Sequence, residues 1–129
     1  MSMIKPKALA AVLSEVCTGG TRLALLVHHD GALLAFGSGP SEDAAGAERD
    51  AHVHAALAAA AWGVYDKNGT PLVSMVVESG TATVFATRVS SALTLALVAN
   101  PDADLGALRL RGLALREYLE EPLRSVAAQ

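Results

Sequence analysis

The segment AALAAAAW, residues 55–62, contains no polar side chain, although the sequence around it predicts a helix. A helix at a protein surface normally has one apolar stripe and one polar face, whereas a helix that is apolar all round is buried all round. A chain of 129 residues has little material with which to cover both sides of such a helix. The chain must therefore fold around this helix or leave one apolar side of it for another molecule.

Composition restricts the class of protein further and favours one domain over residues 1–129. The net charge is −3, whereas a nucleic-acid-binding domain shows a basic excess. No apolar run approaches the ~18 residues that span a bilayer, so direct membrane insertion is not expected. No secretory leader or lipidation signal is recognised, which predicts an intracellular chain. The one cysteine, Cys17, excludes an intramolecular disulfide and is predicted to be a buried apolar filler.

Apolar periodicity and turn residues predict eight elements in the order α-β-β-α-β-β-β-α. They are a helix from Pro6 that stops at Gly19-Gly20, strands at about 22–28 and 32–37, a helix at 50–68, strands at 72–78, 81–89 and 92–99, and a last helix through Glu120.

Turn and capping residues set the boundaries of these elements. Asp30-Gly31 predicts a tight hairpin between the first two strands. Residues 37–49 read as a Gly/Ser/acidic loop, after which Asp50 caps the second helix and Asn68-Gly69 end it. For the last helix, Asp102 or Asp104 is the predicted cap, and Pro122 is predicted to interrupt or kink it.

The strands are apolar on both faces, which predicts helices on both sides of the sheet. In the first strand, Leu23, Leu25 and Val27 point one way, and Ala24 and Leu26 point the other. An antiparallel sheet with one face in water would alternate apolar and polar residues instead. The predicted fold is therefore α/β of the α+β type: five mainly antiparallel strands, with one long helix on one face and two helices on the other.

The helix at 50–68 then presents two apolar stripes, and only one can face the sheet. We predict that Val53, Leu57, Ala60 and Val64 face the sheet, and that Ala55, Ala58, Ala59 and Trp62 point away from it. Small residues beside a tryptophan suit a close helix–helix contact, because aromatic residues are enriched in interfaces. The alternative, that Trp62 folds back over the chain's own sheet, stays open.

The strand at 72–78 adds a second indication of a partner. At the edge of the sheet, its free backbone and its Val/Met face would invite pairing with another chain. The candidate partner interface is Ala55, Ala59, Trp62, Val73, Met75 and Val77.

The histidines offer the only candidate chemistry, as two tight pairs, His28-His29 and His52-x-His54. Neighbouring strand residues point to opposite faces, so His28 and His29 are not expected to converge. Residues two apart on a helix lie about 200° apart, so His52 and His54 share a face only if that segment is extended. The chain has no phosphate-binding or dinucleotide-binding fingerprint and no nucleophile–base motif. We therefore predict no catalytic residue, no metal ligand and no cofactor.

Five stretches closely resemble one known family. They are KPKALAAVLSEVCTGG, LLVHHDGALLAF, DAHVHAALAAAAWGVYDKNG, TATVFATRV and REYLEEPLRSVAA. In this order they resemble, nearly end to end, the roadblock-domain subunits of the late endosomal/lysosomal adaptor, or Ragulator, complex, within the roadblock/dynein light chain superfamily. The resemblance implies dimerisation that packs the long central helices together and joins the sheets at the third strand. Those elements are residues 50–68 and 72–78 here.

The resemblance also implies a role. Such a subunit is a non-catalytic scaffold that pairs with a second roadblock protein, of the MAP kinase scaffold type. A lipidated subunit wraps the pair and tethers it to the cytosolic face of late endosomes and lysosomes. The assembly recruits Rag-type small GTPases for amino-acid signalling to the TOR complex, and it supports MAP kinase signalling. The 37–49 loop looks longer than is usual in the family and the 69–71 turn shorter, so no contact residues are inferred there.

Two other functions remain open from the sequence. Some roadblock relatives are homodimers that act directly on a small GTPase. A small enzyme or ligand-binding domain that uses the histidine pairs is the third possibility.

Overall fold

Three helices and five strands follow the predicted order α-β-β-α-β-β-β-α in a computed structural model that describes residues 6–40, 43–66 and 72–127. The elements are α1 (Pro6–Glu15), β1 (Thr21–His28), β2 (Leu33–Ser38), α2 (Ala44–Asp66), β3 (Ser74–Glu78), β4 (Thr83–Arg88), β5 (Leu93–Ala99) and α3 (Leu105–Ala127).

The strands form one sheet in the order β2-β1-β5-β4-β3, and every neighbouring pair is antiparallel. The predicted antiparallel sheet is therefore confirmed. The long apolar strands β1 and β5 lie in its centre, and β3 lies at one edge. In the part of the chain that the structure describes, no strand pairs with the outer side of β3.

Two apolar cores lie on the two faces of the sheet, as the double alternation along β1 predicted. Ala24 and Leu26 pack with α1 and α3 on one face. Leu23, Leu25 and Val27 pack with α2 on the other face. The expected division into two helices and one helix is thus confirmed. No helix within the described ranges is both long enough and apolar enough to cross a bilayer.

The β1–β2 hairpin turns at Asp30-Gly31, as predicted. Gly31 has a φ of 96°, which favours glycine, and its N–H donates to the His28 carbonyl at 2.8 Å. The Asp30 carboxylate accepts a hydrogen bond from the Ala32 N–H at 2.9 Å, and this bond lowers the pKa of Asp30. The turn is therefore held by both backbone and side chain.

Helix α2 begins at Ala44, so the prediction of a loop through residue 49 and a cap at Asp50 is wrong. The cap is Asp43, whose Oδ2 accepts a hydrogen bond from the Gly46 N–H at 2.9 Å. Its carbonyl also accepts one from the Ala47 N–H at 2.7 Å. A well-placed N-cap and the alanines after it outweigh the cost of one glycine in the first turns. The predicted stop at Asn68-Gly69 lies outside the described residues.

Helix α3 begins after Asp104, whose Oδ1 accepts a hydrogen bond from the Gly106 N–H at 3.0 Å. This geometry selects Asp104 over Asp102 as the cap. The predicted interruption at Pro122 is wrong, because α3 continues to Ala127. A proline deprives the carbonyl four residues earlier of its helical partner. That carbonyl belongs to Tyr118, which is 62% exposed, so water can take the place of the missing donor.

Candidate partner interface

Helix α2 presents two apolar stripes, but their orientation is the reverse of the prediction. Ala55 and Trp62, which were expected to face a partner, are 0% and 7% exposed and pack against the sheet. Ala58 is also buried, and Ala59 is half-buried beside the same core. The alternative that places Trp62 over the chain's own sheet is therefore the correct one.

The stripe expected to face the sheet points outward instead. Val53, Leu57 and Val64 are 55%, 61% and 65% exposed. Ala60, between them on the same side of the helix, is exposed too. The branched residues therefore form the outer surface of α2, where the sequence had predicted small residues.

Side-chain volume explains this orientation. The sheet already supplies large residues to the core beneath α2, among them Leu23, Leu25 and Val27. Alanines on the helix, such as Ala51 and Ala55, let α2 approach those side chains closely. Two layers of branched residues would hold the helix farther from the sheet. The stripe with the larger side chains is consequently left outside.

Strand β3 continues the exposed apolar surface next to α2. Met75 pairs with Ala86 and Val77 with Val84, and this register places them on the face of the sheet that carries α2. Val73 is 66% exposed and Val77 is 44% exposed, while Met75 is half-buried. Helix α2 packs mainly on β1, β2 and β5, so the β3 end of this face has little cover.

An apolar groove of about 300 Å³ runs between α2 and this open part of the sheet. Leu57 and Ala61 form its helix wall, and Met75 and Val77 form part of its floor. His54 stands at the same groove, where burial lowers its pKa below 6.5. Asp50 opposes that shift and Arg22 adds to it. We call the outer stripe of α2 and the open side of β3, namely Val53, Leu57, Val64, Val73, Met75 and Val77, the partner face.

The rings of His28 and His29 lie next to each other, contrary to the prediction. Their ring centroids are 4.3 Å apart, because β1 ends at His28 and His29 lies in the turn, where strand alternation no longer applies. His28 Nδ1 also lies 3.1 Å from Asp30 Oδ1. Among the described residues, no three His, Cys, Asp or Glu side chains are grouped closely enough to hold a metal ion. Cys17 is 2% exposed, as expected of a buried filler.

Comparison with known proteins identifies the family. No protein-family model matches the chain. A Caenorhabditis elegans protein described as a Ragulator complex protein LAMTOR2 homolog is 33% identical over 128 residues, which are 97% of each of the two chains. The chain belongs to the LAMTOR2 family. The resemblance of the five sequence stretches to Ragulator roadblock subunits is thereby confirmed.

Solved structures show that this LAMTOR2-family chain has the roadblock fold. A roadblock/LC7 domain from Streptomyces avermitilis superposes with a TM-score of 0.74 at 21% identity, over 89% of this chain and 97% of that one. The gliding protein MglB from Thermus thermophilus gives 0.76 at 19% identity, over 97% and 95%.

Proposed function

We propose that this chain is a non-catalytic scaffold subunit that forms a heterodimer with a second roadblock protein in a Ragulator-type complex. The observation that carries the proposal is the partner face, an apolar surface formed jointly by α2 and β3. The relative at 33% identity is by its description a Ragulator complex protein, which supports a multi-subunit assembly. In this proposal, residues 1–129 act as one roadblock domain.

The geometry of the partner face suits a second helix and a second sheet edge at the same time. Val53, Leu57 and Val64 form one stripe along α2, because residues four and seven apart return to the same side of a helix. A partner helix laid beside this stripe would also cover Val77 on β3 and Val73 just before it. The outer backbone of β3 would meanwhile accept a partner strand and extend the sheet.

A partner would gain most from the apolar side chains and less from charge. The exposed apolar residues of α2 and β3 lie on either side of the 300 Å³ groove, so one partner helix could seat side chains in it. Burial of apolar surface contributes about 25 cal/mol per Å². Continuous apolar patches of this kind mark interaction sites in monomeric proteins. Dimerisation would bury the outer apolar stripe of α2, which the fold of a single chain leaves exposed.

The proposal extends to the larger assembly. The heterodimer would be wrapped by a lipidated subunit that attaches it to the cytosolic face of late endosomes and lysosomes. There it would recruit Rag-type small GTPases for amino-acid signalling to the TOR complex, and it would support MAP kinase signalling. In this role the chain contributes surfaces that bind other proteins, and none of its side chains takes part in a chemical reaction.

The test is the solution mass of the purified chain, alone and mixed with a roadblock protein of the MAP kinase scaffold type, by light scattering on a sizing column. A stable 1:1 heterodimer supports the proposal. A homodimer that ignores the partner would contradict it and favour a homodimeric regulator of a small GTPase, for which GTP hydrolysis is the next assay. A monomer that binds nothing would contradict both.

A further inference from the structure

A second groove lies on the other flank of α2, beside the β1–β2 hairpin. Two adjoining cavities of about 260 and 220 Å³ meet there, and His29, Trp62 and Thr94 line both. We call this pair of cavities, centred on those three residues, the hairpin groove. Ala59 and Gly63 of α2 line it, whereas Leu57 and Ala61 line the groove at the partner face.

The two grooves lie on opposite flanks of the helix, and the buried Ala58 lines both of them. Residues 59 and 63 lie about 160° around α2 from residues 57 and 61, at 100° per residue. The strand order places β1 and β3 on opposite sides of β5 and β4, so the sheet separates the two grooves in the same way. The hairpin groove therefore stays accessible when the partner face is covered, a point that rests on the proposed function.

Small side chains on α2 create the hairpin groove. Ala58, Ala59 and Gly63 leave space between the helix and the ends of β1 and β5. A Cβ atom built on Gly63 would meet nothing within 4 Å. Trp62 fills the middle of the groove and is 7% exposed, so it offers a flat apolar wall rather than a free side chain.

The titratable side chains that line the groove belong to basic residue types. His28, His29 and Arg88 line it, and none of its described lining residues is Asp or Glu. The Arg88 guanidinium lies 5.4 Å from the centroid of the Trp62 ring, and its Nε donates to the Leu72 carbonyl at 3.2 Å. This basic lining contrasts with the net charge of −3 for the whole chain.

Asp30 distinguishes the two histidines. Its carboxylate lies 3.1 Å from His28 Nδ1, and the Ala32 N–H that holds it lowers its pKa. His28 therefore already faces a negative charge. His29 is exposed and lines both cavities, so it is the imidazole that an incoming ligand meets first.

We propose that the hairpin groove docks a short acidic segment of a partner protein that also carries apolar side chains. An apolar side chain of the segment would lie against Trp62 and Ala59. A carboxylate beside it would face His29 and Arg88, because an imidazole N–H and a guanidinium can both donate hydrogen bonds to a carboxylate. The chain would thereby hold a second protein on a surface separate from the partner face.

Trp62 is the only tryptophan of the chain, so its fluorescence reports on the groove. The probe is a terminally blocked Glu-Leu-Glu-Leu-Glu peptide, titrated against the whole chain, with Lys-Leu-Lys-Leu-Lys as its matched control. We expect the glutamate peptide to change the emission, because an apolar side chain would lie against Trp62 while its carboxylates face His29 and Arg88. The lysine peptide is expected to have no effect.

Two variants test the position of the peptide. His29→Gln should weaken binding by about two- to fivefold, the range for one exposed polar contact of this kind. Gly63→Leu places a side chain in the groove, where a Cβ meets no neighbour, and should abolish binding while the chain stays folded by circular dichroism. His52→Gln, on the exposed side of α2, is the control.

The proposal is overturned if both peptides bind equally, or if His29→Gln and Gly63→Leu leave binding unchanged. The titration needs no second roadblock protein, so peptide binding by a chain that forms no heterodimer would refute the proposed function alone. Heterodimer formation without peptide binding would refute the hairpin groove alone.

Discussion

A Cβ atom at Gly112 would stand 2.6 Å from the ring of Phe85. Helix α3 approaches the sheet so closely here that no side chain fits between them. The ring has no space to retreat, because Phe85 is 1% exposed and lies in the core between the sheet and the paired helices α1 and α3. Gly112 therefore sets the distance between α3 and the sheet.

Gly112→Ala is expected to destabilise the fold by about 1–3 kcal/mol, the usual cost of extra atoms in a packed core. Gly63→Ala is the matched control, because it makes the same change in a helix where a Cβ meets nothing within 4 Å. It should stabilise the chain by about 0.5–1 kcal/mol through helix propensity. Urea denaturation followed by circular dichroism measures both. Similar effects from the two variants would contradict the close contact.

Leu57→Glu should leave the chain folded and prevent heterodimer formation, because it would bury a charge without a partner at the centre of the partner face. Leu110→Glu, on α3, is the control, since Leu110 is 71% exposed and lies outside that face. The solution mass of each variant, mixed with the second roadblock protein, shows whether a heterodimer still forms. An intact heterodimer with Leu57→Glu would place the partner elsewhere.

Trp62→Ala should cost about 3–5 kcal/mol of stability, as expected for a large aromatic side chain in a core. The neighbouring Tyr65→Ala should change stability by no more than about 0.5 kcal/mol, because that side chain is 61% exposed. Thermal unfolding by far-ultraviolet circular dichroism compares them. A fully stable Trp62→Ala would restore the orientation of α2 that the sequence predicted.

Asp43→Ala should destabilise the chain by about 1 kcal/mol, because the Gly46 N–H loses the carboxylate that caps α2. Asp50→Ala is the control at the residue that the sequence suggested as the cap. Its ion pair with Arg22, at 3.4 Å, is exposed and should contribute at most about 1 kcal/mol. Helix content at the first turns, from amide chemical shifts, separates the two: only Asp43→Ala should fray the helix start.

Stability should fall on the acidic side of neutral pH partly through His54. Burial lowers its pKa below 6.5 in the folded chain, so the unfolded chain binds more protons between the two values. Stability contributed by neutral His54 is therefore complete above 6.5 and is lost as the pH falls toward the lowered value. Melting temperatures measured from about pH 5 to pH 8 should vary less in His54→Gln than in the parent chain. His52→Gln, which changes an exposed residue, should leave the slope as it is.

The sequence predicted the order of elements and the two-sided sheet because those follow from local spacing. Both faces of β1 carry apolar side chains, so both faces of the sheet must be covered, whichever helices cover them. The hairpin at Asp30-Gly31 depends on two adjacent residues and was predicted for the same reason. The pairing of β1 with β5 joins strands that are distant in sequence, and the local patterns did not predict it.

The orientation of α2 could not be predicted in this way, because both of its stripes are apolar. The choice between Ala55 with Trp62 and Leu57 with Val64 depends on the volume already present on the sheet. That volume is set by residues on strands distant in sequence, such as Leu25 on β1. Comparing side-chain sizes across the two layers would have favoured the correct orientation. Hydrophobicity alone could not distinguish the two orientations, because both stripes are apolar.

The errors at the helix ends have a similar cause. A glycine near Asp43 and a proline at position 122 are unfavourable in a helix when considered alone. The cap at Asp43 and the packing of Leu119 and Leu123, both 0% exposed, outweigh them. The partner-face residues Val73, Met75 and Val77 were identified from the sequence, and their contact with a partner stays a prediction.

In the proposed heterodimer, the outer edge of β3 would link the fate of this chain in the cell to the supply of its partner. A chain made in excess keeps that strand edge, with Val73 and Val77 beside it, open to any other unpaired strand. Surplus copies are then candidates for aggregation or for removal by quality control, whereas paired copies are protected. In the proposed heterodimer, balanced synthesis of the two subunits would therefore matter as much to this protein's abundance as the stability of its own fold.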